Sequence, residues 1–564
     1  MRVDKLRIGS AKDSPTHQFK NLKNVTIDFD QGEWVTVVIG WNGTGKSNVL
    51  EALAIIFREL IDPRRTLRIG FAFELSYRIG QGDLQRSVTI VHDPDERQRF
   101  TITVTPGVST SSAEQQVPRR MRINTFLKDE SNLPRYVFCY YSGESSRMHE
   151  VFAPYLQWYD ERLRRGQDPG LKRLFYALPV HSQFVLLAFM IGGSEAATDL
   201  LRDHLGLNSE EGLEWVLFVL RQPPWPPHPD GDPRFWGARG VVSGFLDRLQ
   251  DVALAPIDVQ RRVNTSLWNK ETLEFKYLFI KDIAALRRLV GEQSPAHFFR
   301  DLESTYVSQL IDEVRIKVRL SQRDGTVTFR ELSEGERQLL TVLGLLRFTA
   351  EDESLILLDE PDTHLNPKWS VEYLEFLRKF IGGSAQEGIS SRETETSHVI
   401  LTTHNPIAIA ELSREQVQIL RTQTEDGKRR VVAVFPDVDP RGMGYAAIVT
   451  SEMFGIASHL DKPTQRDLEV QRNLSGKGEL TVDEQSELNA VNHRLDQLGF
   501  RFLYPDDEYS RYLRLRSEYL QEIFGTRDAL KLAGRVVEMT LEEREALAKR
   551  LIAGLVESEQ DPFD

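Results

Sequence analysis

The sequence predicts an α/β protein: a head made of a mixed β lobe and a parallel-sheet core, broken by a helical insertion and followed by a helical C-terminal extension. Three observations carry this. Residues 1–150 are rich in β-branched residues and turns, as short strands require. Residues 151–320 place apolar side chains at spacings of three and four, and residues 321–437 return to strands alternating with helices. Helical start signals then recur through 438–564.

The chain of 564 residues leaves room for about four domain-equivalents. With 40% hydrophobic and 27% charged residues, collagen-like, disordered and membrane-spanning classes fit poorly. The net charge of −13 excludes a surface that is basic throughout, while leaving room for a local basic groove. One cysteine, Cys139, rules out an internal disulfide framework or a Cys-x-x-Cys zinc site. The first seven residues, MRVDKLR, lack the apolar core of a signal peptide. The apolar run Phe184–Ile191 is too short for a membrane span. A cytoplasmic protein without membrane contact is expected.

In the first stretch, Asn24–Phe29, Trp34–Ile39, Ser87–Val91, Thr101–Val104 and Tyr136–Tyr141 read as strands. After Trp34–Ile39 comes Gly40-Trp41-Asn42-Gly43-Thr44-Gly45-Lys46-Ser47, then an amphipathic run through Leu50, Leu53, Phe57 and Leu60. A strand, a Gly-rich loop ending in Lys-Ser and a helix form a cradle for a polyphosphate. Backbone N–H groups of Gly40, Asn42, Gly43, Thr44 and Gly45 close around the anion, Lys46 reaches its outer phosphates, and the Ser47 hydroxyl ligates Mg²⁺. The insertion is interrupted by QPPWPPHPDGD at 222–232, read either as a stiff surface loop or as a polyproline ligand.

In the third stretch, Leu355-Ile356-Leu357-Leu358 closes on Asp359 and Glu360, as in a buried parallel strand delivering acids at its C-terminal end. Asp359 is expected to hold Mg²⁺ and Glu360 to take a proton from an attacking water. Upstream, Leu332-Ser333-Glu334-Gly335-Glu336-Arg337-Gln338 contains a capping box, Ser333 with Glu336, and a capped helix N-terminus is also an anion site. Val399–Thr403 leads into His404-Asn405-Pro406, setting a histidine at a strand end. Val417–Leu420 and Val431–Phe435 flank Asp426-Gly427 as a hairpin. In the last stretch, Thr481-x-x-Glu484 caps a helix carrying Leu488, Val491, Leu495 and Leu498 and stopping at Gly499, and Thr540-x-x-Glu543 opens another.

GWNGTGKS, LSEGERQ, LILLDEPDTHLNP and TTHNP together resemble the Walker A, signature, Walker B with D-loop, and H-loop of ABC-type ATPases. The phrase Gly-Thr-Gly-Lys-Ser-Asn and the long insert between Lys46 and Ser333 resemble the RecF/SMC/OLD-like branch rather than a transporter subunit. The insert lacks the long coiled coil and Cys-x-x-Cys hook of break-repair relatives, and Glu334 stands where many relatives have Gly or Ser. No Q-loop glutamine is evident, although Ser142-Gly143-Glu144 after the strand Arg135–Tyr141 is a candidate location.

The resemblance implies an ATP-hydrolysing protein using Mg²⁺, in which Ser333, Gly335 and Glu336 of one subunit complete the nucleotide site of another. His404 would sense the γ-phosphate and Glu360 activate water, within a homodimer or higher homo-oligomer. After the H-loop, Asp437-x-Asp439 is a weak match to the acidic set of a TOPRIM nuclease, lacking its upstream Glu-Gly and the strand–helix pattern after it. An ATPase without its own nuclease resembles the ATPases of bacterial anti-phage systems of the Septu or retron-associated kind, implying a separately encoded nuclease and sensing of DNA or nucleotide state. The alternative is a RecF-like repair ATPase that clamps DNA, for which Arg119, Arg120 and Arg122, Arg162, Arg164 and Arg165, and Arg287 with Arg288 are candidate contacts.

Overall fold

The computed structural model describes the chain except residues 30–31, 108–116, 171, 193–194, 208–211, 265–269, 321–325, 350–352, 382–395, 426–427, 457, 459, 478, 501–506, 527 and 560–564. It divides into two units, residues 1–437 and 438–564.

At the heart of the first unit is a seven-stranded sheet, in the order Lys428–Val434, Val417–Glu425, Val35–Gly40, His398–Thr402, Leu355–Asp359, Val137–Tyr141, Leu174–Tyr176. All neighbours are parallel except the first pair, a hairpin whose turn at Asp426-Gly427 lies outside the described residues. Leu355–Asp359 and His398–Thr402 are buried along their whole length, as strands covered on both faces must be. Their register sets Asp359 beside Thr402 and Tyr141, and Gly40 beside Leu420. One end of the sheet therefore collects every chemically distinctive strand terminus.

A six-stranded antiparallel sheet forms the β lobe, in the order Val25–Asp28, Arg2–Ile8, Phe73–Ile79, Arg86–His92, Phe100–Pro106, Arg119–Met121. Phe73–Ile79 alternates buried and half-buried residues, one face on the core. The helix Lys46–Ile61 lies in a single apolar core with both this lobe and the central sheet. The segment Arg2–Ile8 is a strand of this lobe.

The insertion corrects the helical expectation. It does contain the helices Arg147–Arg164, His181–Ile191, Gly240–Val252, Ile283–Val290 and Pro295–Val307, but also a five-stranded antiparallel sheet. Its order is Leu254–Asn264, Lys270–Ile280, Leu213–Arg221, Ile311–Arg319, Thr326–Thr328. In one strand the helix-like spacing has a local cause. Along Ile311–Arg319 the buried residues are Ile311, Val314, Ile316 and Val318, and the first step of three imitates a helix. Pairing with Leu213–Arg221 runs Val219 to Glu313 and then Leu220 to Ile311, so Asp312 is the extra residue of a β-bulge. The bulge, not a helix, makes the spacing of three.

The second unit is helical among its described residues, with helices Tyr445–Thr450, Lys462–Ser475, Val482–Gln497, Asp507–Phe524, Ala529–Glu538 and Leu541–Glu559. The Thr481–Glu484 box is reciprocal, Thr481 N–H donating to Glu484 Oε2 at 3.0 Å and Glu484 N–H to Thr481 Oγ1 at 3.3 Å. Val491 and Leu495 enter a small core, whereas Leu498 lies past the helix end and is exposed. Phe184–Ile191 forms part of a buried helix, and no single described helix is long and apolar enough to cross a membrane.

Candidate functional site

The Gly-rich loop leaves its strand at Gly40 and enters its helix at Lys46. Two of its glycines are required by space. A Cβ on Gly40 would stand 2.5 Å from the Leu420 carbonyl, and Gly45, at φ +99°, has Asn21 Oδ1 only 2.8 Å from where a Cβ would be. Lys46 is buried and donates to Gly40 O at 2.9 Å, folding back over the loop that would hold phosphate. Burial lowers its pKa, and the negative charges of Glu360 and Asp359 partly oppose this. Thr44 Oγ1 donates to Trp41 O at 2.8 Å, bracing the turn, while Trp41 and Asn42 stand exposed.

Asp359 is fully buried at the end of its strand. Its Oδ1 accepts a 2.5 Å hydrogen bond from Thr402 Oγ1; its Oδ2 has no hydrogen-bond partner, the nearest cation being Arg147 Nη2 at 3.6 Å. Burial raises the Asp359 pKa, against the pull of the Thr402 and Ser47 hydroxyls and of Arg147. A buried carboxylate oxygen left without a donor, beside a serine hydroxyl, is the all-oxygen donor set that suits Mg²⁺. The residues present fit that ion.

Glu360 has φ +52°, a left-handed conformation costing a non-glycine residue about 1–2 kcal/mol. Its N–H donates to Thr402 O at 3.0 Å, which fixes the turn and aims the carboxylate off the strand end. There His404 Nδ1 approaches Glu360 Oε1 at 3.4 Å, with both side chains reachable from solvent. The loop bearing His404 is tied down by Thr403 Oγ1, which donates to Asp362 Oδ2 at 2.9 Å and accepts from Asn405 N–H at 2.9 Å. Burial raises the Asp362 pKa.

Ser333 caps the helix Glu334–Leu339. Glu336 spends its carboxylate on the Ser333 N–H at 2.7 Å, and Glu336 N–H donates to Ser333 Oγ at 3.2 Å, so the capping reading holds for this pair. The helix docks on the segment after the acid pair: Gln338 Nε2 donates to Pro361 O at 2.6 Å, and Gln338 Oε1 accepts from His364 N–H at 3.2 Å. Gly335 is required here, since a Cβ would lie 2.6 Å from His364 O. Thus Lys46, Ser47, Asp359, Glu360 and His404 gather at one sheet end, whereas Ser333, Gly335 and Glu336 form a second cluster whose contacts run to Pro361 and His364.

Two participants, Asn21 and Arg147, carry no local sequence signal. Asn21 Nδ2 donates to Gly43 O at 2.9 Å and Asn21 Oδ1 accepts from Asn48 Nδ2 at 2.7 Å, fastening the β lobe to the loop. Arg147 opens the insertion's first helix, and Gln338 links the two clusters. The segment Ser142–Glu144 does reach the site, with Ser142 N–H donating to Asp359 O at 3.2 Å, but it supplies no glutamine.

Residues 17–117 match the family model "AAA ATPase domain", and residues 238–410 match "AAA domain, putative AbiEii toxin, Type IV TA system". Among curated proteins, a probable peptide export ATP-binding protein, YydI, of Bacillus subtilis (strain 168) is 35% identical over 99 residues, 18% of this chain and 46% of that protein. The Septu protein PtuA of Bacillus mycoides (strain KBAB4) is 21% identical over 165 residues, 28% of this chain and 21% of that protein. The chain thus spans less than half the length of either relative. Similar solved structures include an SMC head bound to the C-winged helix domain of ScpA, at 13% identity and TM-score 0.30 over 77% of this chain and 98% of that one. The SMC head domain from Thermotoga maritima is another, at 12% identity and TM-score 0.26 over 77% and 99%.

Proposed function

Starting from an ATPase of the ABC/SMC-like type that resembles defence-system ATPases, we propose that this chain is the ATP-binding and hydrolysing subunit of a bacterial anti-phage system. ATP joins two of its heads, and the closed pair senses DNA or nucleotide state and controls a separately encoded nuclease. The observation that carries the pairing is the division of the site. A phosphate cradle with its acids lies at one place, and the exposed, capped helix start at Ser333 lies at another, its helix docked through Gln338 on Pro361 and His364.

In the proposed cycle Lys46 releases Gly40 O, to which it donates at 2.9 Å, and turns to the β- and γ-phosphates. Ser47 and Asp359 would hold Mg²⁺, which would supply positive charge against that developing on the phosphates. Glu360 takes the proton of the attacking water, and His404, 3.4 Å from it, orients that carboxylate and meets the γ-phosphate. The Ser333 helix end of a partner copy closes on the same phosphate, where its N–H groups favour an anion. The defence reading draws support from the Septu relative, from the AbiEii-type match and from the separate helical unit 438–564, which would dock the nuclease.

Mixing two defective variants tests the shared site. Lys46→Ala alone and Ser333→Arg alone should each hydrolyse ATP at under ~5% of the wild-type rate, the loss expected when phosphate contacts are removed. Their mixture should regain activity, because one of the two sites in a mixed dimer keeps both halves. A mixture as inactive as its components would refute head pairing. Co-expression with neighbouring genes should pull a nuclease onto the chain, and a lone protein giving full protection would refute the effector.

A RecF-like DNA clamp is the second reading, favoured by the exposed Arg119 and Arg120 on the outer strand of the β lobe. DNA binding that needs ATP and falls steeply with salt would select it.

A further inference from the structure

A second cluster of chemically apt side chains lies in the β lobe, and none of its members faces the phosphate cradle. His17 ends a short 3₁₀ turn, Pro15–His17, and is 1% exposed. Asp93 and Asp95 occupy the turn between the strands Arg86–His92 and Phe100–Pro106. His17 Nε2 points at Asp95 Oδ2, 3.2 Å away, and at Asp93 Oδ1, 3.5 Å away, and the three ligand atoms lie within 4.8 Å of one another.

We propose that His17, Asp93 and Asp95 form a site for a zinc-type divalent transition-metal ion, distinct from the Mg²⁺ position at Ser47 and Asp359.

The distances argue for it. Ligand bonds of about 2.0–2.2 Å give edges of roughly 3.0 Å between neighbouring ligands in an octahedron and roughly 3.4 Å in a tetrahedron. The two His17 separations fall beside those edges, and the longer one exceeds an N–H···O hydrogen bond, whose usual limit is about 3.2 Å. The histidine is buried against two carboxylates from a different strand turn, and the cluster reaches solvent at the half-exposed Asp95.

The second shell also fits. Ser10 Oγ lies 2.7 Å from His17 Nδ1 and can accept from its N–H, the tautomer that would present the Nε2 lone pair to an ion. Thr16 Oγ1 donates to Asp95 Oδ2 at 3.0 Å, and Lys12 Nζ donates to the far oxygen of Asp93, Oδ2, at 2.8 Å, so Oδ1 stays turned to His17. One imidazole and two carboxylates favour zinc-type ions over Mg²⁺, which prefers oxygen alone. The ion would lock residues 15–17 to the turn 93–95, four residues ahead of Asn21, which holds Gly43 O. It would thereby stiffen the lobe segment that grips the phosphate loop.

The full chain, stripped with a chelator and kept free of nucleotide, is titrated with Zn²⁺ against a chromogenic competitor, and Co²⁺ serves as the spectroscopic probe. One equivalent of Zn²⁺ should bind at micromolar concentration or tighter, both in the wild type and in Asp359→Asn, which disables the nucleotide-site metal. His17→Gln should lose it, together with the visible Co²⁺ band of a histidine-ligated ion. Asp95→Asn, at a half-exposed position, should fold as the wild type does by circular dichroism and bind at least tenfold more weakly. It decides the matter even where His17→Gln fails to fold. A wild-type chain that takes up no Zn²⁺ would make the cluster an ion pair only. Unchanged affinity in Asp95→Asn would place the metal elsewhere. Either result overturns the proposal.

Discussion

Burial works against both charges at the centre of the nucleotide site. Lys46 is pushed toward its neutral form and Asp359 toward its protonated one, a cost that a bound polyphosphate and its cation would offset in the proposed cycle. For Asp359 the consequence for stability has a definite sign. An acid whose pKa is raised in the folded state binds its proton more tightly there than when unfolded, so its contribution to stability is lost as pH climbs through the raised value. Asp359→Asn should accordingly raise the Tm of the ligand-free protein by about 2–4 °C at neutral pH, the gap closing toward the ordinary carboxylate value near 4. The same variant should lose Mg²⁺-dependent hydrolysis by at least ~100-fold, since it removes the oxygen left without a donor. A thermal melt showing an equal or lower Tm at pH 7 would contradict this account of the buried acid. Glu360 makes a parallel trade, its left-handed backbone costing stability while it sets the carboxylate against His404.

At the scale of elements, the signature helix is coupled to the acids through Gln338, whose amide spans Pro361 O and His364 N–H. Gln338→Leu leaves the buried Pro361 carbonyl and the part-buried His364 N–H without this partner, at a cost of about 1–3 kcal/mol. It should bind fluorescent ATP within about threefold of wild type, because nothing in the phosphate cradle changes, yet fail to pair on adding ATP. Full pairing by this variant would show that the helix is positioned by something else. These elements also mark what the sequence discloses. The phosphate loop, the acid pair and the Ser333 cap are legible because each function lies within a few consecutive residues, where spacing alone fixes geometry. Asn21 and Arg147 are not legible, because their roles arise only when distant segments meet. Along Ile311–Arg319 the strand signal is weakened for another reason: the bulge at Asp312 interrupts the alternation of two.

On the scale of the molecule, the boundary between the two units lies in a largely exposed stretch around residues 437–447, which contains Arg441. Limited trypsin digestion should cut there early and leave an N-terminal fragment that still binds ATP, since all residues of the cradle lie before 437. Early cuts inside the ATP-binding unit instead would contradict that division. The charge of −13 fits a switch with confined contacts better than a coat for nucleic acid. The central claim is that ATP binding joins two heads and hydrolysis parts them. Its most direct test is the molar mass of Glu360→Gln by light scattering, with and without Mg²⁺-ATP. A monomer that becomes a stable dimer with ATP, and does not when Ser333→Arg is added, is the predicted result. A mass that ATP leaves unchanged in Glu360→Gln, or a dimer that persists with Ser333→Arg, would contradict it.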